Sequence, residues 1–140
     1  IGVGAQALGI AEGAFHEAIE YMKEREQFGK PLSQQQYLAF KMAELYADIE
    51  NARLALYKAA CLKEEGKPFT IAAAVAKLTC TDVAMKVTTE CVQMMGGNGY
   101  MKEYHVERMM RDAKITQIYE GTNEIQKLVI SGSLFPRKKK

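Results

Sequence analysis

Between Leu38 and Ala59 the apolar residues Leu38, Met42, Leu45, Ile49, Ala52, Leu56 and Ala59 follow one another in alternating steps of four and three. That rhythm leaves little choice of structure, because it lays one continuous seam along a helix and the seam has to be buried against other helices. A second segment repeats the theme. Val3, Leu8, Ala11, Phe15, Ala18 and Met22 recur at three to five residue steps, while Glu12, Glu17, Lys23 and Glu24 mostly fall off the stripe, which predicts an amphipathic helix ending near Gln27, ahead of Gly29 and Pro31. Ser33 is expected to cap the second helix, with Gln36 three residues later completing a capping box.

The turn Glu65-Gly66-Lys67-Pro68 stops the second helix. A third helix is expected from Thr70 to about Met95, rich in Ala and Val with only Lys77, Asp82, Lys86 and Glu90 charged, and therefore mostly buried. Gly96-Gly97-Asn98-Gly99 breaks it, a short helical piece follows around Val106 to Arg111, and a last helix runs from about Asn123 to Leu134 with Thr122 or Asn123 as its N-cap. No strand-like alternation of useful length is visible. The expected fold is all-α, an antiparallel four-helix-type up-and-down bundle with an additional short helix, in one domain spanning 1–134, followed by a basic tail at 135–140.

Composition bounds the function. With 140 residues and 48% hydrophobic content the chain fits one compact domain. Four of its positive charges, Arg137 to Lys140, sit in the last four positions; without them the net charge of +2 becomes −2, which leaves no basic face for nucleic acid. The three cysteines are odd in number and in apolar helical settings, which fits a reducing, cytoplasmic compartment. No apolar stretch approaches membrane-spanning length, so no membrane insertion is expected. His16 and His105 have no partner at metal-ligand spacing, and no metal is expected. The helical pattern is already running at Ile1, without an initiator methionine or a cap, as in a piece of a longer protein.

Ligand-facing residues are expected in the irregular joints, where the backbone is not committed to the bundle. Three stand out: Arg25-Glu26-Gln27-Phe28-Gly29-Lys30-Pro31, then Gln93-Met94-Met95-Gly96-Gly97-Asn98-Gly99-Tyr100, and finally Met110 to Glu124, which contains Arg111-Asp112-Ala113-Lys114 and Ile118-Tyr119-Glu120-Gly121-Thr122. In this order and spacing they resemble the C-terminal domain of acyl-CoA dehydrogenases over nearly the whole chain, most closely the short-chain, butyryl-CoA type found in bacteria.

The resemblance implies an FAD enzyme that oxidises an acyl-CoA to the trans-2-enoyl-CoA. A glutamate at the position of Glu120 removes the α-proton as the β-hydrogen leaves as hydride to the flavin, and the thioester oxygen is held by the backbone N–H of the same glutamate, with Gly121 permitting close approach of the substrate. On the residues alone Glu120 is an exposed loop carboxylate ahead of a helix; the motif turns that reading into a base. Members that carry the base on another helix lack a glutamate here, which points to the short- or medium-chain arrangement.

Further FAD contacts are implied for Arg25 and Gln27, for Gln35 and Gln36, for Gln93, Gly96 and Gly97, and for Thr122, Asn123 and Glu124. Arg25 and the Gln93 to Gly97 segment resemble groups that reach the flavin of a neighbouring subunit. Each has a plainer explanation as well: Arg25 is a cation at a helix C-terminus, Gln36 a capping partner, and the glycines a helix stop. A homo-oligomer, dimer or tetramer, and electron-transferring flavoprotein as electron acceptor are implied for the intact enzyme, whereas this stretch alone is expected to be inactive. The competing readings are a non-catalytic helical oligomerisation module, for which Glu120 has no use, and an acyl-CoA oxidase.

Overall fold

The computed structural model describes residues 1–136. It contains five α-helices: α1 (Gly2–Glu24), α2 (Gln36–Glu64), α3 (Thr70–Met95), α4 (Val106–Thr116) and α5 (Asn123–Leu134). Helix α3 is the centre, packing on α1, α2, α4 and α5, with its broadest contact on α1. The expected bundle is therefore observed. The stripe read from the first segment is buried from Leu8 to Met22, and of the seven seam residues in α2 all but the half-buried Leu38 lie in the core.

Small side chains set the packing distance. Ala7, Ala11, Ala14 and Ala18 of α1 face Ala76, Cys80, Ala84, Val87 and Cys91 of α3 in the same fully buried cluster, so the two helix backbones approach closely. Arg53 of α2 reaches across to Glu12 of α1 at 2.6 Å and also pairs with Glu50 on its own helix. Among the described residues no helix is long and apolar enough to cross a membrane. Arg137 to Lys140 of the basic tail lie outside the described residues.

Burial decides the chemistry of two thiols. It pushes Cys80 up to about 11 and Cys91 up to about 12, and since the thiolate is the reactive form, both are inert at neutral pH. Peptide mass spectrometry after iodoacetamide at pH 8 is expected to find both unmodified in the folded protein and both alkylated in denaturant; labelling of either in the folded state would mean that α3 opens locally.

Three local expectations are corrected. Ser33 does not cap α2: Leu32–Gln34 form a 3-10 turn, Gln35 is the extended residue that precedes the helix, and Gln36 is already its first residue, so no capping box forms. Helix α1 stops at Glu24, because Arg25 is extended (φ −74, ψ 124) and leads into a two-stranded ribbon of Glu26–Gln27 against Lys30–Pro31. Helix α4 continues five residues past Arg111, to Thr116.

Candidate active site

The first two joints meet at one end of the bundle. In the ribbon, Phe28 (φ 57) and Gly29 (φ 77) form a two-residue turn of the mirror-image kind that suits the twist of paired strands. Phe28 stands 94% exposed at its tip. Leu32 N–H donates to the Arg25 carbonyl at 2.8 Å and Gln35 Nε2 to the Gln27 carbonyl at 3.2 Å, which folds the ribbon back on the start of α2. Opposite it, α3 ends at Gly96 (φ 61, ψ −140).

Between them lies a cavity of about 290 Å³ lined by Arg25, Gln27, Leu32, Gly96, Gly97 and Asn98. A Cβ on Gly96 or Gly97 would meet nothing within 4 Å, so the backbone there faces open space. An exposed guanidinium beside an uncovered stretch of backbone is a donor set for a phosphate-bearing, elongated ligand. Gln93 is exposed on the last turn of α3 and Gln36 on the first of α2; neither lines this cavity.

Glu120 stands at the other end. The chain leaves α4 at Thr116 and returns as α5 at Asn123, and the Asn123 N–H donates to the Gln117 carbonyl at 3.0 Å, which closes residues 117–123 into a loop with tied ends. Glu120 (φ 55) and Gly121 (φ 87) are consecutive left-handed residues at its apex. For a non-glycine residue that conformation costs about 1–2 kcal/mol, and such strain persists where the surroundings enforce it, often at functional sites.

Gly121 is favoured at its position by the positive φ, and a Cβ there would also stand 3.0 Å from Gln126 Nε2, the group that donates to its carbonyl at 3.1 Å. Tyr119 Oη donates to Gln6 of α1 at 2.5 Å. Glu120 is exposed but borders a cavity of about 480 Å³ with Gly2, Val3, Ala74, Lys77 and Val129. A base that works at an α-carbon is strengthened by exclusion of water, and these residues alone do not close such a pocket around Glu120.

The N-terminus of α5 is occupied from within. Thr122 Oγ1 accepts from the Ile125 N–H at 3.4 Å, the expected N-cap, and the Glu124 carboxylate is held below its ordinary range by its own backbone N–H and then by the Thr122 hydroxyl. Asn123 is 5% exposed and points inward. Its Oδ1 accepts from Lys77 Nζ at 2.9 Å and its Nδ2 donates to Asp82 at 2.8 Å and to Thr81 at 2.9 Å, so its side chain is spent inside the protein.

Lys77, read from sequence as one of the few charges on a buried helix, is itself 5% exposed. Burial lowers its pKa against the opposing pull of Asp82 and Glu124. Sequence reading did not connect Lys77 to the site, because its partner is 46 positions away and no local pattern marks the pair.

The candidate residues thus form two groups rather than one. Arg25, Gln27, Gly96 and Gly97 gather at the far end of α1; Glu120 to Glu124 gather at its beginning, beside Gly2 and Gln6. Helix α1 has 23 residues, which at about 1.5 Å per residue separates the groups by roughly 30 Å.

These observations define a helical domain with a strained glutamate loop at one end and an arginine and glycine cleft at the other. The model of the acyl-CoA dehydrogenase C-terminal domain matches residues 1–135. The short-chain-specific acyl-CoA dehydrogenase of Megasphaera elsdenii is 63% identical over 134 residues, covering 96% of this chain and 35% of that protein. The solved butyryl-CoA dehydrogenase of the same organism superposes with a TM-score of 0.94 at 62% identity over 95% of this chain and 35% of its own. A chain in a structure of the electron transferring flavoprotein of Acidaminococcus fermentans superposes at 0.95, with 57% identity over 97% of this chain and 36% of that one.

The chain belongs to the acyl-CoA dehydrogenase family, as its C-terminal domain. It spans about a third of the length of the relatives it matches.

Proposed function

We propose that this domain serves a homo-oligomeric, FAD-dependent acyl-CoA dehydrogenase of the short-chain, butyryl type, with Glu120 as the base that takes the α-proton of the thioester. The observation that carries the reading is the loop itself: a carboxylate held in a left-handed conformation at the apex of a loop with tied ends, bordering a cavity. Among the described residues no backbone carbonyl accepts from the Glu120 N–H, which suits that N–H to receive the thioester oxygen as charge develops on it. Gly121, the next residue, carries no Cβ to crowd Gln126 beside the loop. Bound FAD supplies the acceptor for the β-hydrogen.

The residues at the other end fit FAD. Arg25 offers a permanently charged planar fork, Gln27 an amide, and Gly96 and Gly97 an open backbone surface, all around one cavity. Gln35, Gln36 and Gln93 lie around that end, while Thr122 and Glu124 belong to the Glu120 end and Asn123 acts from behind it. A separation of roughly 30 Å between the two groups within one chain is bridged most simply when each cofactor lies between two copies, Glu120 coming from one and Arg25 from the other. That geometry supports a dimer or a tetramer built from dimers. Electron-transferring flavoprotein is the proposed electron acceptor, in line with the Acidaminococcus relative, and the three free thiols suit a reducing cytoplasm.

Anaerobic addition of butyryl-CoA to the full-length protein is expected to bleach the oxidised flavin band, with reoxidation by electron-transferring flavoprotein faster than by oxygen. The 140-residue chain alone, with one group per end and an exposed base, is expected to show no turnover. A full-length protein without FAD would sink the reading in favour of an oligomerisation module, and rapid reoxidation by oxygen would favour an oxidase.

A further inference from the structure

One turn of α3 holds both ends of the Glu120 loop. Asp82 Oδ1 accepts from Gln117 Nε2 at 2.7 Å, where the chain leaves α4, and from Asn123 Nδ2 at 2.8 Å, where it enters α5. Gln117 and Asn123 are also joined directly through the backbone at 3.0 Å. Behind them Lys77 Nζ, buried, donates to Asn123 Oδ1 at 2.9 Å, and Thr81 Oγ1 lies 3.0 Å from the same oxygen. The loop between these anchors contains two left-handed residues in succession, a shape that relaxes unless its ends are held.

We propose that Asp82, backed by Lys77 through Asn123, is the positioning residue of the Glu120 base: a single carboxylate fixes the spacing and orientation of both loop ends and so keeps the apex in its left-handed turn. The inference rests on the reading of Glu120 as the base. Asp82 touches no substrate in this scheme. Its effect reaches the reaction through the angle at which Glu120 meets the α-carbon, and rate depends steeply on such angles while substrate affinity, made elsewhere, does not.

The test uses the full-length flavoprotein and three variants, Asp82→Ala, Asp82→Asn and Glu120→Gln, followed by stopped-flow flavin bleaching with butyryl-CoA and by amide hydrogen exchange of residues 118–122. Asp82 is exposed, so its truncation removes no core side chain; the thermal midpoint of each variant checks that the fold survives, and FAD content is checked by absorbance. The expected result for Asp82→Ala is a bleaching rate lower by about tenfold, a substrate dissociation constant within about twofold of wild type, and faster exchange in the loop. Asp82→Asn, whose amide oxygen still accepts from both ends, is expected to recover most of the rate.

Bleaching by Asp82→Ala at the wild-type rate, with Glu120→Gln inactive, would overturn the positioning role and leave the base assignment standing. So would a loss that appears wholly in substrate affinity. Normal bleaching by Glu120→Gln would overturn the base assignment itself, and with it the purpose of the clamp, whatever Asp82→Ala does.

Discussion

Glu120→Gln in the full-length flavoprotein is expected to slow flavin bleaching by butyryl-CoA by about 10²–10⁴-fold while FAD stays bound, because glutamine keeps the shape of the side chain and removes only its capacity to take a proton. The backbone is the reason for choosing glutamine over alanine. Glu120 holds φ 55 in a loop tied at 117 and 123, and an isosteric amide leaves those ties undisturbed. None of Arg25, Gln27, Gly96 and Gly97 is altered, so flavin affinity is expected to be unchanged. Glu120→Asp is the graded companion: the carboxylate survives but withdraws by one methylene, and a shift of that size is expected to give a rate between those of wild type and Glu120→Gln. Equal bleaching by all three proteins would move the base to another residue.

The helices were legible because burial on one side of a helix writes a period into the chain. The stripes from Leu8 to Met22 and from Met42 to Ala59 mark the core in the sequence itself, since a stripe of that length has no other use. Cap and turn detail was less legible. Ser33 and Gln36 have the spacing of a capping box, yet Leu32–Gln34 tighten into a 3-10 turn and shift the start of α2 past Ser33. The ribbon around Phe28-Gly29 leaves no signature in the sequence, because its two-residue strands are too short for alternation and phenylalanine is not the usual first residue of such a turn.

The motif pointed to Glu120, whereas its positive φ was invisible from sequence. So was the partition of the candidate residues between two ends of α1, since order along the chain says nothing of distance across it. Lys77 shows the same limit from another side. A lysine on a buried helix reads as a solvated exception, and only the fold brings Asn123 to it and makes the pair a strut under the loop.

Gly99→Ala is expected to destabilise the domain by about 3 kcal/mol, the upper part of the range for overpacked cores, and to lower the thermal midpoint by several degrees. A Cβ on Gly99 would stand 2.6 Å from the Val92 carbonyl oxygen, 2.9 Å from Met95 Cβ and 3.1 Å from Val92 Cα. Two of those three atoms are backbone of α3, so no rotamer change relieves the contact; the end of the helix has to move. Gly97→Ala, two residues earlier in the same turn, is the control, because a Cβ there meets nothing and stability is expected to change by no more than about 0.5 kcal/mol. The pair separates packing from ligand contact. In the full-length protein Gly97→Ala is expected to weaken FAD binding at an unchanged thermal midpoint of the flavin-free form, while Gly99→Ala lowers the midpoint with or without flavin. Unaltered FAD affinity in Gly97→Ala would mean that the cavity beside Arg25 is a helix stop and its turn rather than a cofactor surface, and it would return the weight of the cofactor reading to the Glu120 end alone.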